Sequence, residues 1–346
     1  MTACGTSRRF AAPQEVSVVL STRLTEGLGL RYPIISAPMA QMSGGDLAGA
    51  VSKAGGLGTF GAVLSKSAPI PISYIKEHLA KIRAVTDRPF GVGFITQYIE
   101  GSPENLDFVL SEEVPVILLS FADPRPWLRR IKAKGSKVIC QVQTMDAAHI
   151  AVAEGADVIA VQGNEAGGHC GALNLLPFLA QALDTFPETP ILAAGGIANG
   201  RSLAAVLAAG ADGAWIGTGF RAVKECAEIS EEERTAILES DGRNTVRNSI
   251  YDTIGHLVDG TPRWPEPIAM RTKTNRFLRS WIGREPELAA QIAKMPEDFK
   301  GVWDDPKSDR FPHLFGEAAG FVSKIETAEA FMVRIVGEAE QLLHKP

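Results

Sequence analysis

The sequence predicts a (β/α)8 barrel carrying a mainly helical C-terminal extension, and three observations lead there. Short apolar runs rich in Val, Ile, Ala and Gly recur from Pro33 to residue 219, each followed by a helix-like segment, and there are eight of them. Runs apolar on both faces and separated by helices describe parallel strands covered on both sides. Eight such units, spaced by roughly 20 to 30 residues, suit a closed barrel better than an open doubly wound sheet.

Taken in order, residues 1–32 precede the repeat and are expected to form a short lid on the barrel's bottom face. Their start, MTACGTSRRFAAP, lacks the apolar core of a secretory signal; its arginines, serines and threonines allow a transit segment as the lesser alternative to a cytoplasmic chain. The barrel is expected over residues 33–228, with strands in PIISAP (33–38), GGLGTFGA (55–62), PFGVGFI (89–95), VPVILLS (114–120), SKVICQV (136–142), ADVIAVQG (156–163), TPILAAGG (189–196) and ADGAWIGTG (211–219). Helices are expected at 43–54, 71–85, 124–134, 144–154, 174–185 and 199–209. Thr144 and Asn199 stand at helix starts and Gly155 and Gly210 at helix ends. GGLGTFG contains GxGxxG, but a helical segment precedes it and the glycines lie within an apolar run, so close strand packing is the better reading than a dinucleotide fingerprint. Residues 229–346 break the rhythm: helical segments at 230–240, 271–281 and 326–343 alternate with loops such as DGTPRWPEP (259–267), and this part is expected to cap the substrate.

Composition narrows the partners. A net charge of −5 without a Lys/Arg cluster argues against nucleic acid or anionic lipid and for a small molecule. Cys4, Cys140, Cys170 and Cys226 form no CxxC pattern and no disulfide framework, no patterned cluster suggests a metal site, and no apolar stretch reaches the roughly 20 residues that span a bilayer.

In a barrel of this kind the chemistry sits at the C-terminal ends of the strands. AAGGIANG (193–200) and IGTGF (216–220) place glycines after strands seven and eight, where exposed backbone N–H groups and a following helix start favour a phosphate. Gln141 and Gln143, two apart on one strand, share a face, and Gln162 ends the next strand; amides both donate and accept, which suits a ribityl chain or a flavin ring. Buried glutamines also serve structure alone. Of six histidines only His169, in QGNEAGGHCG (162–171), sits in a βα loop at the catalytic face, with glycines before it to admit a ligand. Its ordinary pKa near 6.5 suits proton transfer at neutral pH. Cys170 beside it is a poor partner, because neighbouring side chains point apart.

The combination APM (37–39), QGNEAGGHCG, AAGGIANG and GTGF (217–220) resembles the nitronate monooxygenases, over roughly residues 24 to 285. Relatives of that family include a flavin-dependent enoyl-acyl-carrier-protein reductase and NADH:quinone reductases. The resemblance implies non-covalent FMN at the barrel mouth, a helical second domain above it, and oxidation of alkyl nitronates by O2 to a carbonyl compound and nitrite. Carried over by position, Ala37, Pro38 and Met39 run beneath the flavin ring, Gly167 and Gly168 line it, and Gln141 and Gln162 lie near ring and ribityl chain. Ala194, Gly195, Gly196, Gly217 and Thr218 hold the phosphate, Gly93 stands at a cofactor-contact position, and His169 faces the substrate as proton carrier. Two departures stand out: many members have Asn where this chain has Gly93, and Gln141 replaces a lysine that would stabilise reduced flavin.

Two other readings fit the same residues. One is an FMN-dependent NAD(P)H reductase of a quinone or an enoyl thioester. The other, of a different class, is a barrel that binds a phosphate ligand without catalysis.

Overall fold

A computed structural model describes residues 20–62 and 70–344. Each of the eight apolar runs contains a parallel strand: β1 (Ile34–Ser36), β2 (Gly58–Gly61), β3 (Phe90–Ile95), β4 (Val116–Ser120), β5 (Lys137–Val142), β6 (Val158–Gln162), β8 (Ile191–Ala194) and β9 (Gly213–Ile216). A short extra strand, β7 (Gly168–Cys170), leaves the barrel between β6 and β8. The order β1-β9-β8-β6-β5-β4-β3-β2 is closed by a parallel bridge between Ile35 and Leu57, so the sheet returns on itself.

Alternation along the strands divides two cores. Ile35, Leu118, Ile139, Ala160, Leu192 and Trp215 fill the barrel interior, whereas Ile34, Ile117, Cys140, Ile159, Ala193 and Ala214 face the helices. Gly58 lets the helix Gly45–Ala54 rest on β2: a Cβ there would overlap the Ala48 carbonyl, which is the close packing expected of GGLGTFG. Thr144 and Asn199 cap their helices through side-chain oxygens, as their positions predict. At the strand starts, the helix Arg23–Leu28 inserts Leu24 into the interior core, a burial that contributes about 1.5–3 kcal/mol. The rest of the predicted N-terminal lid, residues 1–19, lies outside the described residues.

The C-terminal part is mainly helical but includes two strands, β10 (Thr245–Asn248) and β11 (Ala269–Lys273). With β7 they form an antiparallel sheet, β10-β11-β7. The helix expected at 271–281 therefore starts late, at Arg276, because Asn275 supplies its N-cap and Thr272 is buried in the sheet. Ile250, Tyr251, Ile254, Leu278, Leu288 and Phe299 form a separate small core above the barrel. The last helix, Ala328–Leu343, does not cap the mouth; it lies on the barrel flank against the helices Gly200–Ala208 and Gly45–Ala54. No helix among the described residues is long and apolar enough to cross a membrane.

Candidate active site

The C-terminal ends of the strands surround a cavity of about 220 Å³, open to solvent on one side. Ala37, Pro38 and Met39 follow β1 along one wall; Gln141 and Gln162 come from β5 and β6. Gly167, Gly168 and His169 form the opposite rim, and Ala194, Gly195, Gly196, Gly217 and Thr218 close the end. Gly93 does not line the cavity, contrary to its expected cofactor contact. Pro38 covers it, and a Cβ at position 93 would overlap the Pro38 ring, so this glycine makes room for the wall rather than forming it.

The three glutamines are buried and linked. The Gln143 amide donates to Gln162 Oε1 at 3.0 Å, and Gln162 Nε2 donates in turn to the carbonyl of His169 at 3.1 Å. Gln143 thus stands behind the wall and orients Gln162, which ties the loop carrying His169 to the barrel. Gln141 accepts a long contact of 3.5 Å from Gln143, while its own Nε2 has no partner among the described residues and remains a donor on the cavity wall.

At the closed end, Gly195 and Gly196 take positive φ values of 107° and 69°, a conformation that suits glycine. The N–H groups of Gly196, Ile197, Thr218 and Gly219 have no acceptor among the described residues. The neighbouring helix start contributes less than its position suggested: Gly200 N–H donates to Glu338, and Asn199 and Ser202 form a capping box. Two cavity-lining residues each also hold a buried donor without a partner, Trp215 Nε1 and Arg221 Nε. Buried polar groups normally find partners. Unpaired donors and a glycine turn at one end of a cavity fit an acceptor-rich ligand with an anionic tail, which is the chemistry of a flavin phosphate.

Arg221 was not evident from sequence reading. Its guanidinium is buried, paired with Glu233 at 2.7 Å, and donates to the carbonyl of Leu314. Leu314 and Phe315 belong to a segment that returns to the mouth from far along the chain: Gly316 N–H donates to Thr218 Oγ1 at 3.0 Å, and Glu317 N–H to the Glu165 carbonyl at 3.0 Å. Gly167 and Gly316 meet back to back, and neither could carry a Cβ there. The carboxylate of Glu165 accepts from Leu175 N–H at the start of the helix Leu175–Thr185, a capping role.

His169 lies on β7, in register with Met270 of β11. Its Nε2 is 2.8 Å from Oδ1 of Asp252, in the first turn of the helix Ile250–Asp259. Trp264 stacks on the imidazole with centroids 3.7 Å apart and planes at 22°. Phe121 meets His169 and Trp264 edge-on, and Tyr98 meets Trp264 the same way. Phe121 and Ala122 hold φ values of 63° and 48°, a region costly for non-glycine residues and frequent at functional sites. Burial raises the Tyr98 phenol above its ordinary pKa, and the Asp252 charge adds to that. Cys170, next along the strand, points to the other face; its Sγ contacts the carbonyls of Asn164 and Ala269, and burial pushes the thiol up to about 11. It forms no dyad with His169.

The family model described as nitronate monooxygenase matches residues 21–98 and 96–253. A (3aS,4S,5R,7aS)-5-hydroxy-7a-methyl-1-oxo-octahydro-1H-indene-4-carboxyl-CoA dehydrogenase of Rhodococcus jostii is 32% identical over 244 residues, 70% of this chain. The match spans 65% of that relative, just under two thirds of its length. The nitronate monooxygenase npaC of Metarhizium robertsii is 32% identical over 90% of this chain and 91% of its own. Among solved structures, FabK from Thermotoga maritima superposes with a TM-score of 0.78 at 25% identity, covering 94% of this chain and 97% of its own. A nitroalkane oxidase from Streptomyces ansochromogenes gives 0.72 at 26% identity, covering 92% and 98%.

Proposed function

The chain belongs to the nitronate monooxygenase family, a family of flavin-dependent oxidoreductases, and we propose that it binds FMN at the barrel mouth and uses O2 to oxidise alkyl nitronates to a carbonyl compound and nitrite. The observation that carries this reading is the placement of His169 on the rim of one cavity whose far end is a cradle of unpaired donors. The backbone at Gly196, Ile197, Thr218 and Gly219, with Arg221, would hold the phosphate. Ala37, Pro38 and Met39 would support one face of the ring, and Gln141 and Gln162 would meet its polar edge.

Bound flavin supplies the one-electron chemistry that no side chain provides. The chain's own residues position the substrate and move its proton. His169 receives the nitronate, or takes the α-proton of a neutral nitroalkane, at a rim whose aromatic wall is Phe121, with Trp264 stacked on the imidazole and edge-on to Phe121. Such a wall favours an alkyl chain and reduces the access of water to the reacting carbon.

The test is nitrite release by wild type and His169→Asn, with nitroethane offered neutral and as preformed nitronate. Turnover of the neutral form should be lost, by about 10²-fold or more for a general base. Full turnover of neutral nitroethane by the variant would remove the base role. A second reading draws on the similarity to a carboxyl-CoA ester dehydrogenase: an NAD(P)H-linked flavin enzyme acting on a thioester. It predicts rapid bleaching of the flavin by NADH or NADPH without oxygen.

A further inference from the structure

The proposed base has a neighbour 83 positions away that no strand-end pattern reveals. Asp252 Oδ1 lies 2.8 Å from His169 Nε2, and both side chains are more than four-fifths buried. The cavity is lined by His169 but not by Asp252, so the nitrogen engaged by the carboxylate points into protein. No partner exists for His169 Nδ1 among the described residues.

The placement of Asp252 is over-determined. Asn248, buried at the end of β10, accepts from Ile250 N–H at 3.1 Å. Its amide also donates to the Met270 carbonyl at 3.2 Å. These bonds lock the turn from β10 into the helix Ile250–Asp259 against β11, the strand that pairs with β7. Ile250, Tyr251 and Ile254 anchor the same helix in the small core. Asp252 Oδ2 is buried without a partner, an arrangement that is costly unless the carboxylate has another task.

A carboxylate only accepts hydrogen bonds, so the proton in this contact belongs to the imidazole. We propose that Asp252 is the positioning residue of this site: it fixes His169 as the Nε2–H tautomer and thereby leaves the Nδ1 lone pair as the base that removes the α-proton of a neutral nitroalkane. In that step the C–H bond breaks and an Nδ1–H bond forms. The electron pair stays on the substrate, which becomes the nitronate, and the resulting imidazolium is stabilised by Asp252. The logic is that of a base oriented by a third group. It rests on the proposed function for the identity of the carbon acid, but not for the tautomer.

The test uses Asp252→Asn and Asp252→Ala, with His169→Asn to identify the signal. In the apoprotein, imidazole ¹⁵N shifts of wild type should report a protonated Nε2 and an unprotonated Nδ1 for His169, and both Asp252 variants should lose that preference. In the flavin-loaded enzyme, kcat/KM for neutral nitroethane should fall at least roughly 10- to 100-fold, the size seen when the partner that orients a metal-bound imidazole is lost. The loss on preformed nitronate should be at least several-fold smaller. Unchanged melting temperature and flavin absorbance would show that the variants fold. A wild-type His169 protonated on Nδ1, or a tautomer indifferent to Asp252, overturns the proposal, as does an equal loss on both substrates. An enzyme that oxidises no nitronate but shows the Asp252-dependent tautomer would instead refute the function and leave the positioning role standing.

Discussion

Placing a methyl group at Gly93 tests how the cavity wall is built. A Cβ there overlaps the Cβ and Cγ of Pro38, closer than real carbon contacts permit, so Pro38 must move. Pro38 has the Gly93 backbone on one side and the cavity on the other, so the available retreat is into the ligand space. Overpacking of this kind costs about 1–3 kcal/mol. Restricting the unfolded chain by Gly→Ala offsets about 0.4–1 kcal/mol of it. The net expectation for Gly93→Ala is a loss of about 0.5–2 kcal/mol in urea unfolding. A ligand that must push Pro38 back works against the same strain, and 1–2 kcal/mol corresponds to a factor of about 5 to 30 in affinity. Flavin titration of the apoprotein, followed by quenching of flavin fluorescence, measures it. Wild-type stability together with wild-type flavin affinity would show that Pro38 does not depend on the glycine, and that Gly93 serves some other purpose.

Trp264→Ala removes the ring stacked on His169 and edge-on to the Phe121 wall. Loss of an aromatic contact worth about 0.5–1.5 kcal/mol should raise KM for short nitronates about 2- to 10-fold and shift preference toward longer alkyl chains. A series of nitronates of increasing length would show it, and an unaltered length profile would argue against the wall. His313 predicts an acid limb in stability. Burial, with Lys273 nearby, pushes its imidazole down to about 4, while an unfolded histidine titrates near 6.5. As pH falls below 6.5 the unfolded chain takes up the proton first, so stability that is present above 6.5 is lost between about 6.5 and 4, by at most about 3 kcal/mol. His313→Gln should flatten that part of the urea-unfolding profile; a slope equal to wild type would assign it to other groups.

The barrel was legible because two-sided apolar runs leave few alternatives, and all eight contain a strand of the closed sheet. The cavity end was legible because glycine after a strand has few other uses than a tight turn, and Gly195 and Gly196 do take positive φ. Asp252 and Trp264 could not be read the same way. They reach His169 only through the pairing of β7 with β11, an antiparallel contact between a loop of the barrel and the tail. Phe121 follows Ser120 at a strand end, but nothing local announces its left-handed backbone. Arg221 did leave a trace, a lone cation directly after the apolar run GAWIGTGF, where solvation by water is improbable. Gly93 sits at a strand end and matches a family contact position, yet its neighbour Pro38 decides what can stand there.

The central claim, that the flavin of this barrel takes electrons from a nitronate, is tested most directly by anaerobic reduction of the flavin-loaded enzyme. Propionate-3-nitronate should bleach the flavin absorbance within the time of turnover, while NADH and NADPH at the same concentration leave it oxidised. Rapid bleaching by either nicotinamide, with none by the nitronate, would contradict the account and place the chain among the reductases.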